Sequence, residues 1–498
     1  MGRPLKILPD IAGAYSFILF ICLVLFAGER ALSDGDTLWH IKFGSLMLER
    51  GEIITNDIYS HTAAGKAWTA HEWLAEIIMA AVHQLAGLSG VVIFYFFIVA
   101  LSFWILFKIA RQCGANDWLS LFAVSLALGM ALTHLLARPH IFTWLFGLLT
   151  LYLLLKGGRA LFFLPLLMIP WVNLHGGFAL GLVLQGLFLA GSVLDRLLSA
   201  VPRPDWRTLW EDEYKTHGIV LLLSLAATGI NPFGYRLLFF PFEVSQGVFS
   251  TVISEWMSPS LQYFWHFRLY LLGLFFLLFF SGPRISWFNR LLLLFWVNAA
   301  LTHSRHISIV GLFLTPLLVQ GINPHLERLP LKRKQASSGT ELSLSTTSGP
   351  LATAALFFLL MTLGSLHWAP WDRLSTVIIP NPEKFSSGVV DFLGKNPQQE
   401  NLFNDAEWGD YLIYAMEPPP KLFVDGRADM YGEEIYGDYA KIVQIDENTD
   451  ALLDSYKIGW VLFPPSPLTR YLKAKGVWQE VYGDDQVSVL VRRMTVRP

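Results

Sequence analysis

Apolar runs recur along most of this chain, and they restrict its fold more than any other feature. Residues 11–28, 91–109 and 271–280 are examples. About 20 apolar residues can cross a bilayer as a helix, and in hydrocarbon only a helix or a closed barrel satisfies every backbone N–H and C=O. The chain is 53% hydrophobic and 15% charged, against about 25% charged in a soluble domain. The pattern predicts an α-helical polytopic membrane protein with about eleven spans: 11–28, 89–110, 117–136, 140–156, 159–172, 176–195, 217–230, 267–282, 290–302, 306–320 and 351–367. Segment 72–86 is amphipathic and reads as an interfacial helix rather than a span. No small-x-small cleavage site follows the first apolar run, so it is expected to be a retained span.

Net charge is −2, which gives no whole-chain case for nucleic acid binding. The two cysteines, Cys22 and Cys113, suggest neither a disulfide framework nor a metal knuckle.

Basic residues beside the spans set an orientation. With the N-terminus in the cytoplasm, sixteen Lys and Arg residues flank the spans on the cytoplasmic side and eight on the other, counted up to residue 350. This expectation is a multi-pass protein of the cytoplasmic (inner) membrane. Its Ser/Thr-rich cytoplasmic linker covers 331–350, and its composition changes near residue 368 to mixed charge and short alternating runs. The chain therefore divides into a transmembrane domain, 1–367, and an extracytoplasmic soluble α/β domain, 368–498. In the latter, 421–424, 459–463, 477–482 and 487–492 read as strands, and 385–393, 433–443 and 468–474 as helices.

The same orientation gathers the unusual polar clusters on the extracytoplasmic side. The external loop 29–88 is too long for a hairpin turn, and unstructured loops of such length are usually functional. Its core, 33–76, holds Asp34, Asp36, Glu49, Glu52, Asp57, Glu72 and Glu76 with His40, His61 and His71. Asp34 and Asp36 lie one residue apart, so they can bind a divalent cation through hard oxygens, or one can act as a general base. Glu72 and His71 open the amphipathic segment; they either join the same pocket or cap a helix, and Asp57 either binds or caps a turn. Arg138 with His140, and His303 with Arg305 and His306, put guanidinium and imidazole groups at span ends, where Arg suits a phosphate but can also snorkel. Asn173 and His175 precede Gly176-Gly177, a pocket wall or a tight reversal.

The loop reads D-G-D-T-L-W-H-I-K-F-G from Asp34, with N-D-I-Y-S-H-T and H-E-W-L downstream. This arrangement resembles the GT-C class of membrane glycosyltransferases and, more loosely, its oligosaccharyltransferase and protein O-mannosyltransferase branches. Asp36, His40 and Lys42 match the spacing of an acidic, a polar and a basic residue in the first external loop of the oligosaccharyltransferases. The stretch ending at Glu255 resembles their external-loop motif ending in Glu. Glu407-Trp408-Gly409-Asp410-Tyr411, followed by Val424-Asp425-Gly426-Arg427, resembles the W-W-D-Y-G region and its downstream V-D-G. The tandem Trp-Trp-Asp is not present, and Arg138-Pro139-His140 stands in the second external loop in place of a D-x-D.

The resemblance implies a sugar donor on a polyprenyl phosphate or diphosphate with its tail in the lipid bilayer, and a glycan, lipid or protein acceptor. It implies catalytic roles for Asp36, Asp34 and Glu255, the same three as ligands of a possible Mg or Mn ion. His40, Lys42, Asp57, His71, Glu72, Arg138, His140, Asn173, His175, His303, Arg305, His306, Trp408, Asp410 and Arg427 are the expected substrate-binding set. Two other readings stay open: a transporter or flippase of lipid-linked sugars, and a non-catalytic scaffold in envelope polysaccharide assembly.

Overall fold

A computed structural model describes residues 10–199, 212–245, 253–281, 285–326, 380–397 and 400–493. The expected linker, the expected eleventh span (351–367) and the expected start of the second domain lie outside these residues.

Helices stand where the apolar runs predict them. They are α1 (Ile11–Phe26), α3 (Trp73–Gln112), α4 (Asp117–Ala131), α5 (His140–Lys156), α6 (Leu164–Leu174), α7 (Ala179–Ser199) and α8 (Asp212–Ala227). Trp265–Ser281, Trp287–Thr302 and Ile307–Leu326 follow. Among the described residues four helical stretches, Trp73–Gln112, Asp117–His134, Gly176–Leu198 and Ser304–Leu326, are long and apolar enough to cross a membrane by length and composition. Five others are apolar but shorter. The starts follow from local chemistry: Asp10, Asn116 and Ser286 accept backbone N–H groups at the heads of their helices, bonds that those first turns otherwise lack.

Helix α3 contains the amphipathic segment and the span that follows it. Gly87, at φ +64°, separates the two, a backbone region that glycine enters without steric cost. The external loop is not unstructured. It carries α2 (Asp36–Arg50), closed by Gly51 at φ +68°, and a short antiparallel bridge between Asn56 and Ala67.

The C-terminal part is α/β. Its sheet runs β1 (Asn401–Asn404), β2 (Ile458–Phe463), β4 (Ser488–Arg492), β3 (Trp478–Gly483). β1 and β2 are parallel, and the other pairs are antiparallel. Helices Ala406–Ala415, Ala428–Gln444 and Thr449–Ser455 lie on the β1–β2 crossover, as a parallel pair requires. Segment 421–424 is not a strand of this sheet, contrary to the sequence reading. Its Leu422 bridges Ser60 of the external loop, exchanging backbone bonds with Tyr59 and His61 at 3.0 and 2.9 Å. One edge strand of the sheet is β1, which the sequence reading did not include.

Two main cores result. One joins the apolar helices. The other joins the sheet with Leu38, Trp39, Phe43, Met47, Ile54, Tyr59 and Trp68 of the external loop. The loop is thus packed as part of the C-terminal body, and α2 also lies along α3.

Candidate active site

The segment Ser33-Asp34-Gly35-Asp36 turns from a 3-10 helix into α2. Gly35 is required there: a β-carbon on it would sit 2.6 Å from Asp410 Cβ and 2.7 Å from the Glu407 carbonyl. The N-terminal end of the Ala406–Ala415 helix therefore presses directly on the D-G-D turn. Thr37 Oγ1 donates to the Ala137 carbonyl at 3.1 Å, and Ala137 N–H to Ala31 at 3.0 Å. These bonds bring the segment before α5, with Arg138, against the same turn.

Arg138 is the centre of the resulting cluster. Its guanidinium pairs with Asp34, reaches Asp36 Oδ2 at 3.1 Å and Glu255 Oε2 at 3.5 Å. Glu255 faces Arg305 at 3.6 Å and His134 at 3.6 Å. The Glu255 turn is tied to the next polar cluster: Ser304 Oγ donates to the Glu255 carbonyl at 3.2 Å, His303 Nδ1 lies 2.6 Å from the Trp256 carbonyl, and the Arg305 guanidinium covers the Trp256 ring at 4.1 Å. Burial pushes the Asp36 carboxyl up to about 6, against the opposing pull of Arg138 and with help from Asp34. Burial also opposes ionisation of Glu255, but Arg138 and Arg305 hold it below the usual carboxylate range. The three carboxylates raise the already basic Arg138 further, against its own burial.

A second cluster centres on Glu72. His40 Nε2, His175 Nε2 and His71 Nε2 lie 3.5, 3.4 and 3.6 Å from its oxygens, and His40 Nδ1 lies 3.1 Å from Glu76. His175 Nδ1 accepts the Gly177 N–H at 2.9 Å and lies 2.8 Å from Thr143 Oγ1. Its other nitrogen is then the protonated one and faces Glu72. Burial pulls the His175 imidazole down to about 4, so it is neutral. Burial alone would also lower His71, but Glu72 beside it pushes it up to about 9. Burial would raise Glu72, and the histidines around it keep it far below the ordinary range.

The structure thus brings Asp34, Asp36, Arg138, Glu255 and Arg305 together, and groups His40, His71, Glu72 and His175 next to them through α2. Asp410 meets the D-G-D turn. Other expected site residues lie elsewhere. Asp57 and Arg427 pair with each other at 2.7 Å, with both side chains fully inaccessible; Arg427 also pairs with Asp425 at 2.6 Å and covers Phe43 at 4.6 Å. Trp408, 1% exposed, packs in the C-terminal core against Phe385 and Tyr411. Asn173 uses its amide on the carbonyls of Ile169 and Ile230 and accepts from Trp73 Nε1. Lys42 pairs with Glu417. His140 and His306, by contrast, stay beside the Arg138 cluster, where both act on Glu255: His140 Nε2 lies 3.2 Å from the His134 carbonyl, and His306 Nδ1 lies 3.1 Å from that of Ala299.

Residues outside the expected set also enter. His134 lies near the end of the expected span 117–136, where a polar side chain is a readable signal. Glu76 lies one helical turn after Glu72, the i,i+4 spacing that shares a face. Trp39 lies one turn after Asp36 on α2, a local signal, whereas Lys384 reaches the site through long-range packing, which no local pattern announces. Lys384 pairs with Glu407 and donates to the Ser33 carbonyl at 3.2 Å.

The donor set does not fit the divalent cation that the resemblance implies. Asp34, Asp36 and Glu255 converge on the Arg138 guanidinium, which occupies the position and supplies the charge a cation would. Among the described residues no group of three His, Cys, Asp or Glu side chains is arranged to hold a metal ion.

No family model and no curated protein sequence matches the chain. Solved structures do. The oligosaccharyltransferase of Archaeoglobus fulgidus, in the apo form, aligns over 91% of this chain and 68% of its own with a TM-score of 0.54 at 11% identity. The same enzyme tethered to an acceptor peptide containing the NVT sequon gives 0.55 over the same shares and at the same identity. The fold is GT-C-like. ArnT from Cupriavidus metallidurans, bound to undecaprenyl phosphate, aligns over 98% of this chain and 99% of its own at 14% identity, with a TM-score of 0.47. The likeness is one of fold alone.

Proposed function

We propose that the chain is an integral-membrane glycosyltransferase. It moves a sugar from a polyprenyl-phosphate or polyprenyl-diphosphate donor to a glycan, lipid or protein acceptor on the extracytoplasmic face of the cytoplasmic membrane. The observation that carries this reading is the Asp36 carboxyl, raised to about 6 by burial and held by Arg138, in a GT-C-like fold. A base with such a pKa is matched to work near neutral pH.

In the reaction, Asp36 takes the proton of the acceptor hydroxyl or amide. The acceptor heteroatom bonds to the anomeric carbon while the bond from that carbon to the phosphate oxygen breaks, and the electron pair leaves with the phosphate. The outcome is a single inverting displacement. Arg138 is committed to three carboxylates and serves to orient Asp36. Arg305, whose carboxylate contact is the looser 3.6 Å to Glu255, offsets the charge that builds on the leaving phosphate. The buried Trp408 gives no support to sequon reading, so the acceptor is placed by other groups.

The test adds purified protein in nanodiscs to polyprenyl-linked sugars extracted from host membranes, and follows loss of sugar from the carrier by mass spectrometry. Wild type is expected to consume the carrier-linked sugar, with EDTA leaving the rate unchanged, and Asp36→Asn to leave the sugar in place. A normally folded Asp36→Asn protein with full activity would remove the basis of the reading.

A further inference from the structure

The seam between the C-terminal body and the D-G-D turn holds polar atoms that the cluster around Arg138 does not use. A β-carbon built on Gly426 would lie 2.7 Å from Asp36 Oδ1, 2.8 Å from Asp410 Oδ2 and 2.9 Å from Trp39 Nε1. Three polar atoms from two parts of the chain therefore converge on one small space that only the absence of a side chain keeps open. Asp410 is fully buried and Trp39 is 6% exposed. Asp410 Oδ2 and Trp39 Nε1 have no hydrogen-bond partner. A buried donor or acceptor left unpaired costs about 1–3 kcal/mol.

The charges around Asp410 decide its state. Its Oδ1 accepts the Gly426 N–H at 2.7 Å. Asp36 and Asp34 face it from the first loop and Asp425 from its own domain, with Tyr436 also near. The cations of the region are committed: Arg138 to Asp34, Asp36 and Glu255, Arg427 to Asp425 and Asp57, Lys384 to Glu407. Two close carboxylates with one shared cation do not both ionise, and Asp36 has the closer cation.

We propose that Asp36 and Asp410 work as a carboxyl pair carrying one proton, with Asp410 the neutral partner that donates a hydrogen bond toward Asp36 and orients it. Asp410 is a positioning residue, and the inference deepens the transferase reading, resting on Asp36 being the base. Burial and the neighbouring carboxylates Asp36 and Asp425 move the Asp410 carboxyl well above its ordinary range, in line with this geometry. No atom changes hands within the pair: its proton remains on Asp410 while Asp36 receives the acceptor's proton.

The test uses two readouts on the full chain in nanodiscs. Infrared spectra near pH 8 are expected to contain the C=O stretch of a protonated carboxyl that Asp410→Asn removes. Asp410→Asn is also expected to retain most transferase activity, because its amide oxygen still accepts from Gly426 and its N–H still donates where the acid O–H did. Asp410→Ala is expected to lose about 10²-fold, the usual cost of deleting one preorganised donor. The proposal is overturned if no carboxyl band in wild type is lost in Asp410→Asn, or if folded Asp410→Asn is as inactive as Asp410→Ala. The infrared result does not depend on the substrate, so failure of the transferase reading would appear in the activity arm alone.

Discussion

Asp36 can accept a proton only when ionised, and burial sets its pKa near 6. Transfer activity is therefore expected to rise with pH through about 6 and level off above it. A kcat/KM profile checks this, and an acid limb nearer pH 4, the ordinary carboxylate range, would show that Asp36 is not the titrating base. Gly426 permits a second residue-level test. Gly426→Ala places a methyl group among Asp36 Oδ1, Asp410 Oδ2 and Trp39 Nε1, so these side chains must move. Since a displacement of about 1 Å can cost about 10²-fold in rate, the expected outcome is a large fall in kcat with a near-wild-type melting temperature. Unchanged kcat would mean that the space is not part of the reaction. Sequence made Arg138 and Arg305 legible as ionisable groups at the ends of apolar runs, where burial is costly without a purpose, Asp34 and Asp36 as a carboxylate pair one residue apart, and Glu255 through the resemblance. It did not reveal the contact at Gly426, which joins positions almost four hundred residues apart.

At the level of elements, the Glu72 cluster ties α2, the start of α3 and the turn after α6. His71 Nδ1 lies 3.3 Å from the Thr69 carbonyl, and the ring faces Glu72 and Asp429. Its folded pKa, about 9, lies above the ordinary value of about 6.5. The sign follows from linkage: the pair's contribution is complete below about pH 6.5 and is lost as pH rises through about 9. The thermal midpoint of the detergent-solubilised protein is expected to fall between about pH 7 and pH 10, and Glu72→Gln to flatten that part of the curve while lowering the midpoint at neutral pH. A slope that persists unchanged in Glu72→Gln would assign it to other groups. The sequence named His71, Glu72 and His175 individually, but their meeting is a matter of packing. The pairing of Asp57 with Arg427 was equally hidden. Both looked like ligand-binding groups because a buried ion pair and a binding residue have the same composition, and only burial separates them.

Across the whole molecule, the apolar periodicity made the helical part legible, since the length and hydrophobicity of each run are local properties. The C-terminal sheet was legible in part: β2, β3 and β4 are short runs rich in β-branched and aromatic residues, whereas segment 421–424 has a strand's composition and is extended against the external loop. That exception has a consequence for the architecture. Leu38, Phe43, Met47, Ile54, Tyr59 and Trp68 share a core with Leu402, Phe423, Val461 and Leu490, so the second body is completed by a loop more than three hundred residues upstream. Each fully buried side chain of this size contributes about 1.5–3 kcal/mol, and their sum rivals the about 5–15 kcal/mol that holds a typical domain folded. Without the loop, Arg427 also loses Asp57 and the Phe43 ring. Residues 380–493 produced alone are therefore expected to lack a cooperative thermal transition in near-UV circular dichroism, and the same segment fused to residues 33–72 is expected to gain one. A sharp transition in the isolated segment would mean that the body folds before it meets the loop. The absence of one, with rescue by the fusion, would mean that the seam holding Asp36 and Asp410 is built only as the two parts fold together.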